Sequence, residues 1–238
     1  MTKSVLLDTR TESLLDRLYE QHDAQGAAIE GYFTERFTEG SLDPNRFDDR
    51  THAFLRDKFV ALDRPKAEFC YLVCRALRAH RVVEAGTSFG VSTLFLASAL
   101  RDNSSSDEAK TNTAIVVATE YEPEKAKIAR SHFAEAGLSH LVDLREGDLR
   151  DTLRQLKGPI DFMLVDIWTP MARPALELVS PHLRIGATVI CDNTQQFREA
   201  YEEYFAFIND PLNGFSTVTL PFDGGLEFSV KVRIAEGR

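Results

Sequence analysis

Apolar positions in the first third of the chain recur at helical spacing. Three stretches share this pattern, with apolar residues at 14, 15 and 18, at 55, 59 and 62, and at 69, 72, 73 and 77. The pattern changes after residue 80, where short β-branched runs begin. We therefore predict an N-terminal helical segment over residues 1–60, serving as a cap or a dimer contact, and a single large domain over residues 61–238.

From residue 81 onward, strand-like and helical runs alternate. The strand-like runs are 82–83, 115–118, 141–144, 162–165 and 187–190, and the helical runs are 94–100, 126–133, 149–156 and 176–183. Parallel strands need such crossover helices, so this order predicts a five-stranded parallel sheet covered on both faces. Two further strand-like runs, 215–220 and 226–234, are separated by only five residues, which predicts an antiparallel hairpin. The expected fold is an α/β, Rossmann-like, doubly wound seven-stranded mixed sheet.

Composition narrows the class of partner. The 238 residues carry 28 Lys and Arg against 37 Asp and Glu, a formal charge of −9 that disfavours nucleic acid and favours a small molecule. The first residues include acids and no apolar run, so we predict neither a secretory signal nor a membrane span, and expect a cytoplasmic protein without a membrane partner. Three cysteines are too few for a disulfide scaffold.

The most informative stretch is RVVEAGTSFGVST at 81–93, a strand that enters a glycine-containing turn and then a helix. Gly86 and Gly90 allow a sharp turn and a close approach of a ligand to the backbone. Their G-x-x-x-G spacing differs from the G-x-G-x-x-G dinucleotide fingerprint and therefore disfavours NAD or FAD. The plain alternative is an ordinary strand-to-helix turn with a solvated Glu84.

Acids follow the first three predicted strands. Glu84 suits a ligand with a positive group, such as the amino group of S-adenosylmethionine (SAM). Glu120, 36 residues later, could accept hydrogen bonds from both ribose hydroxyls, or could be a loop acid ahead of Pro123. Asp148 could hold an adenine amino group or cap a helix, and the sequence favours neither.

Three oxygen-bearing side chains follow the fourth and fifth strands. Asp166, Asp192 and Asn193 would meet at one edge of a parallel sheet, where they could hold a divalent cation, most naturally Mg²⁺. The alternative is that Asp192 and Asn193 end a strand and cap the next helix. We favour the metal site.

Together, EAGTSFG, ATEYEP, the set of Asp166, Asp192 and Asn193, and the closing GGLEFSVKV resemble the class I SAM-dependent O-methyltransferases, within them the metal-assisted catechol O-methyltransferase-like group. The resemblance covers residues 58–238. It implies a metal site at Asp166, Asp192 and Asn193 and catalytic roles for Asp166 and Glu227. Glu227 would face the acceptor, and Trp168 would form a wall of the acceptor site. The resemblance also implies SAM contacts from Glu84, Gly86, Ser88, Gly90, Ser92, Glu120, Asp148, Asp166 and Trp168.

One departure concerns the general base. The catechol enzymes carry a lysine three positions after the first metal-ligating aspartate, and this chain has Thr169 there. The expected reaction is in-line attack of a metal-bound acceptor oxygen on the sulfonium methyl, with Glu227, a nearby Lys or water taking the proton. Two other hypotheses stay open: a non-catalytic SAM-binding protein of the same fold, and a nicotinamide-dependent oxidoreductase. A homodimer is compatible with all three.

Overall fold

The protein is described here by a computed structural model that covers residues 4–41, 43, 48–104 and 114–234. Seven strands form one mixed sheet in the order β3-β2-β1-β4-β5-β7-β6. β1 to β5 are parallel to one another, and β7 runs antiparallel to β5 and β6. The predicted fold is confirmed. The strands are β1 Arg81–Ala85, β2 Ile115–Glu120, β3 Val142–Glu146, β4 Ile160–Val165, β5 Leu183–Asp192, β6 Phe215–Leu220 and β7 Leu226–Lys231.

Eight α-helices lie in the described ranges, and some of their bounds differ from the prediction. They are α1 Thr9–Thr38, α2 Asp49–Leu55, α3 Arg64–Ala76, α4 Val91–Asn103, α5 Pro123–Glu135, α6 Leu149–Thr152, α7 Thr169–Val179 and α8 Glu202–Asn209. The apolar residues at 55, 59 and 62 do not share a helix, because α2 ends at Leu55. Phe59 and Leu62 are nevertheless buried, since a non-helical segment also packs one side against the core.

Two other helical predictions were shifted. The run 149–156 is helical only over Leu149–Thr152, although Leu153 and Leu156 remain buried. The run 176–183 belongs to a helix that begins seven residues earlier, at Thr169, and Leu183 already lies in β5. In both cases the periodicity reports which side faces the core, and burial does not require an unbroken helix.

The core has two layers, one on each face of the sheet. One cluster joins α1, α3, α4 and α5 to the sheet, and the other joins α6, α7 and α8 to its opposite face. Leu14, Leu15 and Leu18 of α1 are at most 2% exposed and belong to the first layer, so packing within the chain accounts for the apolar face of this helix. In the described part of the chain, no helix combines the length and the apolar character needed to cross a bilayer.

Candidate active site at the carboxyl edge of the sheet

The turn after β1 joins the ends of two strands. Gly86 has a φ of +97°, and a Cβ on it would lie 1.9 Å from the backbone oxygen of Asp166. The Asp166 N–H donates to the Ala85 carbonyl at 3.0 Å. Only glycine tolerates both this conformation and this contact. Gly86 therefore brings the loop after β1 directly against the end of β4.

The same turn shapes the start of α4. Gly90 precedes the helix with a φ of +89°, and a Cβ there would lie 2.6 Å from the Phe133 ring. Ser88 also has a positive φ, of +49°, and its backbone N–H donates to Glu120 Oε2 at 2.7 Å. The Ser88 hydroxyl is buried and has no hydrogen-bond partner among the described residues. A ligand in this turn would therefore find an unused hydroxyl beside the carboxylate of Glu120.

Glu84 is completely buried at the end of β1, so the solvated alternative was wrong. Its Oε2 accepts hydrogen bonds from Thr87 Oγ1 at 3.0 Å and from Thr93 Oγ1. Its Oε1 accepts no hydrogen bond from any of the residues that the structure describes. Burial raises the pKa of Glu84 to about 7, although nearby hydroxyls, including that of Ser92, oppose the rise. A buried carboxylate with a free oxygen is suited to a cationic donor.

Glu120 ends β2 and faces the same turn. Its Oε2 accepts from the Ser88 N–H and its Oε1 from the Glu122 N–H at 2.8 Å. Each carboxylate oxygen has a second lone pair, so both can still accept from ligand hydroxyls. Burial raises the pKa of Glu120 above its usual range, although the backbone donors and Lys125 lower it. The structure brings Glu84, Glu120, Ser88 and both turn glycines together; their roles in cofactor binding stay predictions.

Asp148 caps a helix in the structure. Its side chain accepts from the Arg150 N–H at 2.8 Å at the start of α6 and forms an ion pair with the Arg150 guanidinium. An adenine contact would have to share the carboxylate with these donors. Trp168 precedes α7, and its side chain is 37% exposed. Thr169, at the position of the family lysine, begins that helix.

The predicted metal ligands do meet at one edge of the sheet, but a lysine lies among them. Lys66 Nζ, from α3, lies 2.8 Å from Asp192 Oδ1 and 3.5 Å from Asn193 Oδ1. Asp63, just before α3, is 3.0 Å from the same nitrogen. Burial raises the pKa of Asp166 well above its usual range, together with the charges of Asp192 and Glu84, and Lys66 partly offsets this rise.

These residues do not fit a divalent cation as arranged. The described residues contain no group of three or more His, Cys, Asp and Glu side chains placed to hold a metal ion. An ammonium has no lone pair to donate, and it repels a second cation at the same oxygens. Burial alone would lower the pKa of Lys66, but Asp192 and Asp63 raise it overall, so the side chain stays charged. We therefore correct the predicted Mg²⁺ site at Asp166, Asp192 and Asn193.

Glu227 does not face an open acceptor site. It lies on β7 opposite Cys191, is 2% exposed, and accepts from the hydroxyls of Thr217 and Thr219 on β6. The solvent-facing alternative is wrong, because the side chain is buried. Strand alternation directs it into the sheet face that α7 and α8 cover, and its catalytic role stays a prediction.

A cleft opens beside the lysine. It has a volume of about 440 Å³ and is bounded by α1, the start of α3 and the β6–β7 turn, with lining residues that include Tyr19, His22, Arg64, Lys66, Phe222 and Asp223. The β6–β7 turn is tied to the site because the Gly224 carbonyl accepts from the Gln195 and Gln196 N–H groups, both at 2.9 Å. A small acceptor could thus reach the edge of the sheet between the N-terminal helix and this turn.

Two residues of the site were missed by the sequence reasoning. Thr119 is buried next to Glu120; its hydroxyl donates to the Glu84 carbonyl at 3.2 Å and accepts from the Gly86 N–H at 3.4 Å. Lys66 stands in the first turn of α3, where the helix dipole disfavours a cation. That unfavourable placement was the available signal, since a cation there needs acidic partners.

Comparisons with known proteins agree with this geometry. Residues 83–194 match the family described as "Methyltransferase domain". A catechol O-methyltransferase from Mycobacterium tuberculosis is 30% identical over 135 residues, which are 56% of this chain and 57% of that protein. A catechol O-methyltransferase from Niastella koreensis is 27% identical over 138 residues, 56% of this chain and 58% of that protein. The chain thus spans little more than half the length of these curated relatives.

Solved structures share the fold. An O-methyltransferase from Bacillus cereus in complex with SAH superposes with a TM-score of 0.63 at 22% identity, over 76% of this chain and 87% of that chain. An O-methyltransferase from Streptomyces achromogenes, in complex with SAM, gives a TM-score of 0.61 at 23% identity, over 79% of this chain and 92% of that one. Residues 83–194 of this chain therefore match a methyltransferase domain, and the chain shares the fold of solved O-methyltransferases.

Proposed function

We propose that the chain transfers the methyl group of SAM to a hydroxyl oxygen of a small-molecule acceptor. The observation that carries the proposal is the buried Glu84 carboxylate at the glycine turn after β1, whose Oε1 has no hydrogen-bond partner within the described part of the chain. A fully buried acid with an unused oxygen costs free energy unless a donor arrives, and the amino group of SAM is a cationic donor of suitable size. The family and the SAM named for a solved neighbour support the same cofactor.

The chain's own residues divide the binding task. Glu84 would accept from the amino group, while Glu120, held by two backbone N–H groups, would accept from the ribose hydroxyls. The hydroxyls of Ser88 in the turn and of Ser92 at the start of α4 would add donors for the methionine part. Bound SAM supplies an electrophilic methyl group on a sulfonium.

The cleft beside Lys66 would hold the acceptor. Its oxygen forms the new O–C bond as the S–C bond breaks, and that bond's electron pair remains on sulfur, which becomes neutral. The hydroxyl proton leaves to water in the open cleft. The residues lining the cleft would orient the oxygen and exclude competing poses, which is how an enzyme accelerates an in-line displacement. The homodimer and the cytoplasmic location stay predictions.

Calorimetric titration with SAM tests the proposal. Wild type should show saturable binding, and Glu120→Gln should bind about 10-fold to 100-fold more weakly, because charge-assisted hydrogen bonds contribute more than neutral ones. Glu124→Gln is the matched control: this nearby, exposed α5 residue forms an ion pair with the exposed Lys127, so the SAM affinity of the variant should match that of wild type.

Two results would decide against the proposal. Absence of SAM binding by folded wild-type protein would reject the cofactor, and competition between SAM and NAD would restore the oxidoreductase hypothesis. Binding without transfer to any of a panel of phenols, catechols and hydroxylated acids would instead favour the non-catalytic SAM-binding alternative, which the absence of the family lysine at Thr169 leaves open.

A further inference from the structure

One buried cation lies close to oxygen atoms of three side chains, which come from two separate parts of the chain. Lys66 Nζ lies 2.8 Å from Asp192 Oδ1 at the end of β5, 3.0 Å from Asp63 Oδ2 before α3, and 3.5 Å from Asn193 Oδ1. The Lys66 side chain is only 2% exposed, and that of Asp192 only 5%. The ammonium therefore contacts Asp192 and Asn193, two of the three side chains that the sequence assigned to a metal.

The position of Lys66 is energetically unfavourable for a charged side chain. It stands in the first turn of α3, where the helix dipole repels a positive charge, and it is almost removed from water. The carboxylates of Asp166 and Asp192 would repel each other without this cation, because they lie at the ends of the adjacent strands β4 and β5. Each charge is tolerated only because the opposite charge is present.

We propose that the Lys66 ammonium is the resident cation of the acceptor site and replaces the divalent metal, so that methyl transfer by this chain needs no metal ion. The inference rests on the function proposed above. Lys66 lines the cleft between α1 and the β6–β7 turn, so an acceptor entering there meets the ammonium at the edge of the sheet. A hydroxyl held against this charge loses its proton to water more readily, and the resulting oxygen anion stays fixed for attack on the methyl carbon.

The chemistry of the step is unchanged by the substitution of cation. The acceptor O–H bond breaks and its proton goes to water; the oxygen pair forms the O–C bond, and the S–C pair remains on sulfur. Lys66 keeps its own proton throughout. An ammonium offers hydrogen bonds in place of coordination, and it binds one acceptor oxygen without requiring an octahedral ligand set.

The test is a titration of Mn²⁺ followed by electron paramagnetic resonance, with and without SAM, on wild type, Lys66→Ala and Lys231→Ala. Lys231 is a matched control because it is a partly buried lysine that contacts Ser180 and Asn213 outside the cleft. Wild type and Lys231→Ala should leave the Mn²⁺ signal free. Lys66→Ala should bind Mn²⁺ about 100-fold more tightly than wild type, because removal of the ammonium leaves paired carboxylates and an amide oxygen.

Mn²⁺ binding by wild-type protein tests the proposal even if Lys66→Ala does not fold. Stoichiometric Mn²⁺ binding by wild type that is lost in Asp192→Asn would overturn the proposal, and so would a folded Lys66→Ala that binds no more Mn²⁺ than wild type does. Calorimetry with SAM on the same samples separates the two proposals. Wild type that binds SAM and takes up Mn²⁺ contradicts only the role of Lys66, whereas wild type that binds no SAM contradicts the cofactor.

Discussion

The two halves of the sheet edge treat their carboxylates in opposite ways. At the ends of β1 and β2, Glu84 and Glu120 are held by hydroxyl and backbone N–H donors, and Glu84 keeps one oxygen without a partner. At the ends of β4 and β5, Asp166 and Asp192 lie next to the internal cation of Lys66. Glu84 in the first half has an oxygen available for an incoming cationic donor, whereas Asp192 in the second half is already paired with Lys66.

This difference suggests a division of labour. Neutral donors fix a carboxylate in place without cancelling its charge, so the charge remains available to a ligand such as the SAM amino group. A buried ion pair cancels most of its field and is sensitive to the loss of either partner. Substitutions in the two halves should therefore have different effects on stability and on ligand binding.

The largest effect is expected from removing the internal cation. Lys66→Met should lower the free energy of unfolding at pH 7 by about 3–5 kcal/mol, because Asp192 would be left buried without a partner. Urea denaturation measures this change. Lys66→Met combined with Asp192→Asn should recover part of the loss, since the orphaned charge is then also removed. Lys231→Met is the control, and an equal loss there would show that Lys66 and Asp192 do not stabilise each other.

The second largest effect is expected on the pH dependence of the free energy of unfolding. Because the pKa of Glu84 is raised from 4.5 to about 7, the folded state binds more protons than the unfolded state between these values. Stability should therefore fall as pH rises through this window, by about 3 kcal/mol in total from this one group. Glu84→Gln should remove that dependence and weaken SAM binding.

Urea midpoints at pH 5 and pH 8 measure this prediction, with the exposed Glu124→Gln as control. Wild type and the control should lose stability between the two pH values, and Glu84→Gln should lose less. If Glu84→Gln follows the same pH profile as wild type, the carboxyl does not titrate in this window. Unchanged SAM affinity in Glu84→Gln would show that the two halves of the edge are more alike than proposed.

The smallest effect on stability is expected at Thr119, which links β1 to β2 next to Glu84 and Glu120. Thr119→Val keeps the shape but removes the hydroxyl that bonds to the Glu84 carbonyl and the Gly86 N–H. The expected loss is about 1 kcal/mol, the usual net value of such a hydrogen bond. Thermal unfolding measures it, and Thr119→Ser, which retains the hydroxyl, should lose less. Equal losses in both variants would assign the effect to packing.

Patterns within short stretches predicted the sheet and the glycine turn after β1. Alternating strand and helix runs implied a parallel sheet closed by an antiparallel hairpin, and Glu84, Gly86 and Gly90 stand together within one strand-turn-helix unit. Helix lengths were less well predicted at 149–156, because apolar spacing records burial and does not report where the backbone hydrogen bonds end. The burial of Glu227 was not predicted, because its environment depends on Thr217 and Thr219 across a strand pair.

The sequence by itself determined the fold class, the glycine turn and the presence of acids after each strand, because each of these is a local pattern of residue types. The tertiary structure decided what those acids face. Lys66 and Asn193 are 127 positions apart, and only the packing of α3 over the end of β5 brings them together. A charge that reaches its partners through folding leaves no periodic signal, so the choice between a metal ion and an ammonium at this edge belongs to the three-dimensional arrangement.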